Sequence, residues 1–378
     1  MGVRLKILQL RSSAGLFGAD RVVLALNGAL DDAGIDSGLL CINNYRMQEQ
    51  ALHQAATDRR QDAALLPCRR RIDLATIARL AGELRRRGTD IVHVHDYKSA
   101  FYAWLATRGQ AVRCVATMHG QVDGTRSLRL YNRIELALLR HFDALVAVSA
   151  RQVEALGKAG VPGQRIHLID NAIEWPSPSP LRTAEIRREL GLDHGQFVFA
   201  AVARFSPEKN LGLLVDAFAA VAEDKPDSRL LLVGDGPDAS GLRQQVHALG
   251  LERHVHFTGL RDDMEHVYPL FDCLVLPSLT EGMPLVVLEA MAHAIPVIAS
   301  DVGEIPRLLA QTEHGQLIPP ADRDALVAAM RNALLRRGQR DARARRHVET
   351  HHSPAAMAVR HAALYRSLTE SVDEPQAA

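Results

Sequence analysis

Aromatic residues make up only 4% of this 378-residue chain, and its four cysteines stand far apart, at Cys41, Cys68, Cys114 and Cys273. No CxxC spacing occurs among them. Scattered thiols fit the reduced, buried residues of a cytoplasmic protein. No apolar stretch reaches the ~18 residues of a membrane span, and Met1-Gly2-Val3-Arg4 leads into a strand rather than a signal peptide. Arginine clusters occur, but aromatics do not interleave them, which argues against nucleic-acid binding. Internal repeats and long low-complexity tracts are absent.

What remains is a long chain that is 47% hydrophobic, more than one core comfortably buries. Strand and helix patterns alternate through both halves, so both sheets are expected to be parallel. The expected division is a domain over 1–172, a stiff linker over 173–180 ending in Trp175-Pro176-Ser177-Pro178-Ser179-Pro180, and a second domain over 181–350. A last helix is expected over 351–371 and a disordered tail over 372–378.

The most informative stretch is Ser278-Leu279-Thr280-Glu281-Gly282-Met283-Pro284-Leu285-Val286-Val287-Leu288-Glu289-Ala290-Met291-Ala292. Cys273 to Leu276 reads as a buried parallel strand broken by Pro277 and Ser278, and Leu285 to His293 has helix-former composition. Glu281 then lies in a strand-to-helix loop and Glu289 on the helix body, ~12 Å apart along the axis. That span suits a nucleotide-sized ligand at the edge of a parallel sheet. A second piece is Val198 to Asn210, where an apolar run ends at Arg204 and Lys209 follows. An arginine fork and a lysine point charge at one strand exit suit a diphosphate. In the third piece, Leu230 to Pro237, a strand opens into Gly234-Asp235-Gly236-Pro237, where glycine lets a ligand approach the backbone. Each piece also has an ordinary reading: surface charges before a helix capped by Ser206, a helix-face carboxylate, or good turn chemistry.

In their order, and at intervals of about thirty and forty-five residues, the three pieces resemble the C-terminal domain of the retaining glycosyltransferases of family 4. The resemblance covers nearly the whole chain. It implies an α/β protein of GT-B architecture, two Rossmann-like parallel-sheet domains facing across a cleft. It also implies that Arg204 and Lys209 neutralise the diphosphate of a nucleotide-sugar donor as it leaves, and that Glu289 holds the ribose hydroxyls. Glu281 and the backbone amides of Gly282, Met283, Pro284 and Leu285 would hold the transferred sugar, with Gly234 also in the donor site. Fixed cations and helix amino termini stabilise departing phosphate charge, so neither a metal nor another cofactor is expected.

In the N-terminal half, Arg4 to Leu10 alternates as a first strand and leads through the loop Ser12 to Asp20 into a helix, Arg21 to Ala33. In the family this loop faces the donor phosphates and reads Gly-Gly-Ala-Glu. Phe17 and Asp20 depart from that pattern here, leaving Gly15 and Gly18 as the expected contacts. The strand Val112 to Met118 ends at His119, where the resemblance places a histidine beside the donor sugar. Ile91 to Tyr97 ends another strand; its alternation puts His93 and His95 on one face, and His95 and Asp96 are the acceptor-side candidates. As a metal site this segment lacks a third ligand nearby.

Residues 1–175 hold 24 Lys and Arg against 17 Asp and Glu, with clusters at Arg59-Arg60, Arg69-Arg70-Arg71 and Arg85-Arg86-Arg87. In the family the first domain binds the acceptor. A basic surface there suits a lipid-linked acceptor and a cytoplasmic enzyme held peripherally on the inner face of the cell membrane, although generic surface arginines give the same count. The expected function is transfer of a sugar from a nucleotide-diphosphate donor to a glycan or lipid-linked acceptor, with retention of configuration. Cell-surface polysaccharide, lipopolysaccharide or glycolipid synthesis is its expected setting. One alternative is a sugar-nucleotide epimerase or hydrolase on the same scaffold. Another is a silent sugar-binding module, which the intact Arg204, Lys209, Glu281 and Glu289 oppose. A nicotinamide-dependent dehydrogenase is set aside, because the loop after the first strand lacks GxGxxG and no acidic residue ends a second strand.

Overall fold

Parallel pairing governs both halves of the chain. The computed structural model describes residues 4–13, 15–43, 50–70, 72–119, 136–175 and 177–370. These fall into two units, one of residues 1–174 with 352–378 and the other of residues 175–351. In the first unit the strands are β1 (Lys6–Arg11), β2 (Asp36–Asn43), β3 (Ala63–Pro67), β4 (Ile91–Val94), β5 (Arg113–Met118), β6 (Ala144–Ala147) and β7 (Ile166–Leu168). Their order is β3-β2-β1-β4-β5-β6-β7, and every pair is parallel. In the second unit they are β8 (Phe197–Val202), β9 (Ser228–Val233), β10 (Val255–Gly259), β11 (Cys273–Leu276), β12 (Val297–Ser300) and β13 (Gln316–Ile318). Here the order is β10-β9-β8-β11-β12-β13, again all parallel.

Helices on both faces explain why the central strands are buried on both sides and largely apolar rather than alternating. All four residues of β4 and of β11 are buried. The helix Leu211–Asp224 shows the matching 3.6-residue stripe, burying Leu211, Leu214, Val215, Phe218 and Val221. Phe218 meets Phe199 of β8 edge-on, with ring centroids 6.3 Å apart. In the first unit, α1 (Gly18–Asp32) packs against the final helix, Pro354–Glu370. The chain's return is tied by His352, whose carbonyl accepts from Ile173 N and whose Nδ1 lies 3.0 Å from the Asn171 carbonyl.

The proline-rich segment ends earlier than a spacer would. Ser179 accepts from Arg182 N and Pro180 is the first residue of the helix Pro180–Glu189, because a proline lacking an N–H is well suited to the first helical turn. Pro176 and the tail over 372–378 lie outside the described residues.

Gly234, at the end of β9, marks where two strand exits crowd together. Its φ is +131°, and a Cβ there would stand 1.9 Å from the Ala203 carbonyl oxygen. Neither the backbone angle nor the space admits a side chain. Gly234→Ala should therefore destabilise the second unit by about 1–3 kcal/mol or more. With Trp104 replaced by phenylalanine, Trp175 alone reports that unit's urea unfolding, and an unshifted midpoint would contradict the close approach.

Candidate active site

In a parallel sheet the ligand-binding edge lies outside the strands' carboxyl ends, at the point where strand order reverses. In the second unit that point falls between β8 and β11. Arg204 stands exposed just past β8, and the turn Pro207–Lys209 brings Lys209 toward the loop after β11. Lys209 Nζ donates to Glu281 Oε1 at 2.6 Å, and Ser278 Oγ donates to the same oxygen at 2.6 Å. Leu279 N donates to the Glu208 carbonyl at 2.8 Å, joining the two strand exits through the backbone. The Glu281 side chain is only 7% exposed, so this ion pair is largely withdrawn from water and depends on its hydrogen bonds.

Two supports of this loop carried no sequence signal. Ser206 caps no α-helix; its hydroxyl donates to Glu208 and holds that carboxyl below its ordinary range, with Lys209 and Arg204 adding to the effect. The turn at Gly303 lies against Glu281, where a Cβ would stand 2.3 Å from the Glu281 carbonyl, and Glu304 N donates to the Gly282 carbonyl at 3.0 Å. Gly303 is remote in sequence from Glu281, and Ser206, although only two residues from Glu208, reads in the sequence as a helix cap.

Glu289 lies on the helix Leu285–Ala292. The buried Tyr268 donates its hydroxyl to Glu289 Oε2 at 2.5 Å, and its ring stacks on His293 with centroids 5.2 Å apart. Tyr268 therefore orients the carboxylate from beneath. Among the four expected backbone amides, Pro284 is a correction: it has no N–H and cannot donate. Gly282, Met283 and Leu285 retain their amides at the helix entrance.

In the first unit the expected contacts divide. Gly18 opens α1, and Gly15 lies under the Phe17 ring, which would sit 2.8 Å from a Cβ at that position. Asp20 is fully buried; it accepts from Phe17 N, Ser13 Oγ and Arg11 Nε at 2.8–2.9 Å, so it pins the loop. Asp96 is similarly engaged, accepting from Ser12 N at 2.7 Å and from Ser99 N and Oγ at 2.9 and 2.6 Å. Its carboxylate caps α2 (Tyr97–Ala106) and latches the loop after β1, and His95 beside it is buried. This geometry gives both residues supporting hydrogen bonds at the end of β4.

His95 and His119 are brought together, with His95 Nδ1 and His119 Nε2 3.1 Å apart. His93 stacks beside His95 with ring centroids 4.2 Å apart, and His361 of the final helix lies 5.6 Å from His93. Burial drives all four well below the usual histidine range, His119 to about 3 and His361 to about 4, with repulsion from neighbouring histidines and from Arg11 or Arg360 adding to it. Among the described residues no group of three or more His, Cys, Asp and Glu side chains is placed to hold a metal ion.

Residues 18–174 match the family model described as Glycosyltransferase Family 4, and residues 182–349 match that of Glycosyl transferases group 1. The chain belongs to this glycosyltransferase family. It is 29% identical over 275 residues to the UDP-Gal:alpha-D-GlcNAc-diphosphoundecaprenol alpha-1,3-galactosyltransferase of Escherichia coli, covering 70% of each chain. It is also 29% identical over 254 residues to the N-acetyl-alpha-D-glucosaminyl L-malate synthase of Bacillus anthracis, covering 66% of each. The matched stretches thus span about two thirds of these curated relatives. A solved Anabaena protein, HepE, in complex with UDP and glucose, superposes with a TM-score of 0.83 at 20% identity, over 96% of this chain and 100% of that one. At that identity the likeness establishes the fold, which makes this glycosyltransferase a GT-B chain of two parallel-sheet α/β domains.

The buried histidines of this glycosyltransferase predict acid lability. Their folded pKa values lie below the unfolded value near 6.5, so the unfolded chain takes up protons first. Stability is full above about pH 6.5 and falls as the pH drops toward 4, by about 1.4 kcal/mol per pH unit for each histidine that stays neutral in the fold. The unfolding free energy of the first unit, followed by Trp104 with Trp175 replaced by phenylalanine, should show this slope, and His361→Leu should remove about one proton's share. A flat profile between pH 6.5 and 4 would contradict the burial of the cluster.

Proposed function

We propose that this chain transfers a glycosyl group from a nucleoside-diphosphate sugar to a glycan or lipid-linked acceptor, with retention of configuration, in the synthesis of a cell-surface polysaccharide or glycolipid. The observation that carries the reading is the ion pair of Lys209 with Glu281 at the switch point of the second sheet. The two residues, read as the diphosphate-binding cation and the sugar-binding carboxylate, meet although 72 residues separate them, which supports that reading. Arg204 and Lys209 would stabilise the charge that grows on the departing diphosphate, and Glu289, oriented by Tyr268, would hold the ribose. In this reading His119 contacts the donor sugar. The name of the Escherichia coli relative pairs a UDP-sugar with a lipid-diphosphate acceptor, which supports the donor and acceptor classes.

A panel of nucleotide sugars, scored by release of nucleoside diphosphate with and without glycan and lipid-linked acceptors, tests this directly. Release should require an acceptor and survive treatment with a chelator. Arg204→Ala and Lys209→Ala should each lower turnover by about 10²-fold. Glu289→Gln should weaken calorimetric affinity for free nucleoside diphosphate, whereas Glu281→Gln should bind it normally yet lose transfer. Acceptor-independent release would favour a hydrolase, and wild-type behaviour of all four variants would remove the site from this edge of the sheet.

Peripheral attachment to an anionic membrane is part of the proposal, and one exposed patch of the first unit supports it. Arg59, Arg86 and Arg87 are spent in ion pairs with Glu174, Glu83 and Asp62, and Arg71 lies outside the described residues. Arg69 and Arg70 are exposed beside Ile72 and Leu74, which are 62% and 75% exposed. Basic heads flanking bare apolar side chains suit the bilayer interface. Sedimentation with phosphatidylserine vesicles should fall several-fold in Ile72→Asp and Leu74→Asp, and equal binding by both variants would place the contact elsewhere. Among the described residues no helix is long and apolar enough to cross a membrane.

A further inference from the structure

β1, β4 and β5 are neighbours in the first sheet, and near their carboxyl ends three polar side chains form a chain: Gln9, His95 and His119. His95 Nε2 is 2.7 Å from Gln9 Oε1, and His95 Nδ1 is 3.1 Å from His119 Nε2. Gln9 and His95 are at most 2% exposed, so no bulk water competes for these atoms.

The hydrogen-bond chemistry of each atom then orders the protons. An amide oxygen only accepts, so His95 carries its proton on Nε2. His95 is neutral, which leaves its Nδ1 as a bare lone pair. His119 must therefore donate from Nε2, and its own Nδ1 becomes a lone pair in turn. That nitrogen is buried without a hydrogen-bond partner among the described residues, and His119 lines a small pocket with Thr117, Asp170 and His361. A parallel rail stiffens the arrangement: His93 Nδ1 lies 2.6 Å from the Tyr365 hydroxyl and His93 Nε2 lies 2.7 Å from Thr117 Oγ1. It is the Gln9 oxygen that faces His95 Nε2, while Gln9 Nε2 closes no hydrogen bond among the described residues. The remaining charged groups around the chain are the Arg11–Asp20 pair and Asp170 with Arg360.

We propose that Gln9 is a positioning residue that, through His95, fixes the proton of His119 on Nε2, so that His119 meets its ligand with Nδ1 as a hydrogen-bond acceptor. Resting on the reading of His119 as a sugar contact, this deepens it: the group held there must bear an O–H or N–H. A donor whose hydroxyl at that position is removed or methylated would leave Nδ1 unpaired.

Long-range proton–nitrogen NMR of the histidine rings tests the order in the full chain, with His119 assigned by difference against His119→Asn. Wild-type protein should show the Nε2–H form at both His95 and His119. Gln9→Met keeps the side chain's length without the acceptor, and should give mixed forms at His119. It should also lower kcat about tenfold to a hundredfold while affinity for free nucleoside diphosphate stays at wild type. A His119 protonated on Nδ1 in the wild-type spectrum overturns the proposal, as does a Gln9→Met protein with unchanged ring forms and kcat. The wild-type spectrum decides the order even if Gln9→Met fails to fold. It also decides it if no sugar is transferred, so failure of the transferase reading and failure of the proton order are separate results.

Discussion

Parallel strands all point one way, so their carboxyl ends collect on a single edge of each sheet, and every candidate residue in this protein depends on that fact. At the switch points, between β1 and β4 and between β8 and β11, the following chains diverge to opposite faces and leave a crevice. Into the second crevice come Lys209 and Glu281, remote in sequence and 2.6 Å apart at their charged atoms. At the first, the loop after β1 is latched to the start of α2 by Asp96. The helices that cover both faces make the strands apolar, so polar residues persist in volume only at these ends.

The two edges use their polar groups differently. In the second unit the charges are balanced in place: Lys209 by Glu281, Glu289 by the Tyr268 hydroxyl, and the loop between the two glutamates by the Gly303 turn. Preset groups of this kind need little reorganisation when charge develops nearby. In the first unit, beside the Arg11–Asp20 pair and Asp96, the histidines are buried and their hydrogen bonds run in series from strand to strand. A half-satisfied buried network is costly, so each imidazole there is constrained by the partner before it. In the proposed reading, the second arrangement would bind charge and the first would fix proton positions.

How far the sequence reached follows from the range of each interaction. β11 and the helix after it were legible to the residue or nearly so, because a buried apolar run and helix-former composition are local. Arg204, Lys209, Glu281 and Glu289 could be named because they sit at fixed offsets from those elements. Asp96 was read as an acceptor contact because its position past β4 is visible, whereas its hydrogen bonds to Ser12 and Ser99 belong partly to a loop 84 residues away. Ser179 and Pro180 were read as linker because turn residues and helix-start residues are the same types. Tyr268, Gly303 and Gln9 left no signal at all, since each acts on a residue from a neighbouring strand or helix.

The sequence by itself determined the α/β class, the parallel sheets, the family and the short-range motifs, because hydrophobic period and residue offsets act within one element. Only the tertiary structure decided which of those residues meet. The Lys209–Glu281 pair, the clamp of Gly303 on Glu281 and the line from Gln9 through His95 to His119 all cross between strand ends, where separation along the chain says nothing about distance in space.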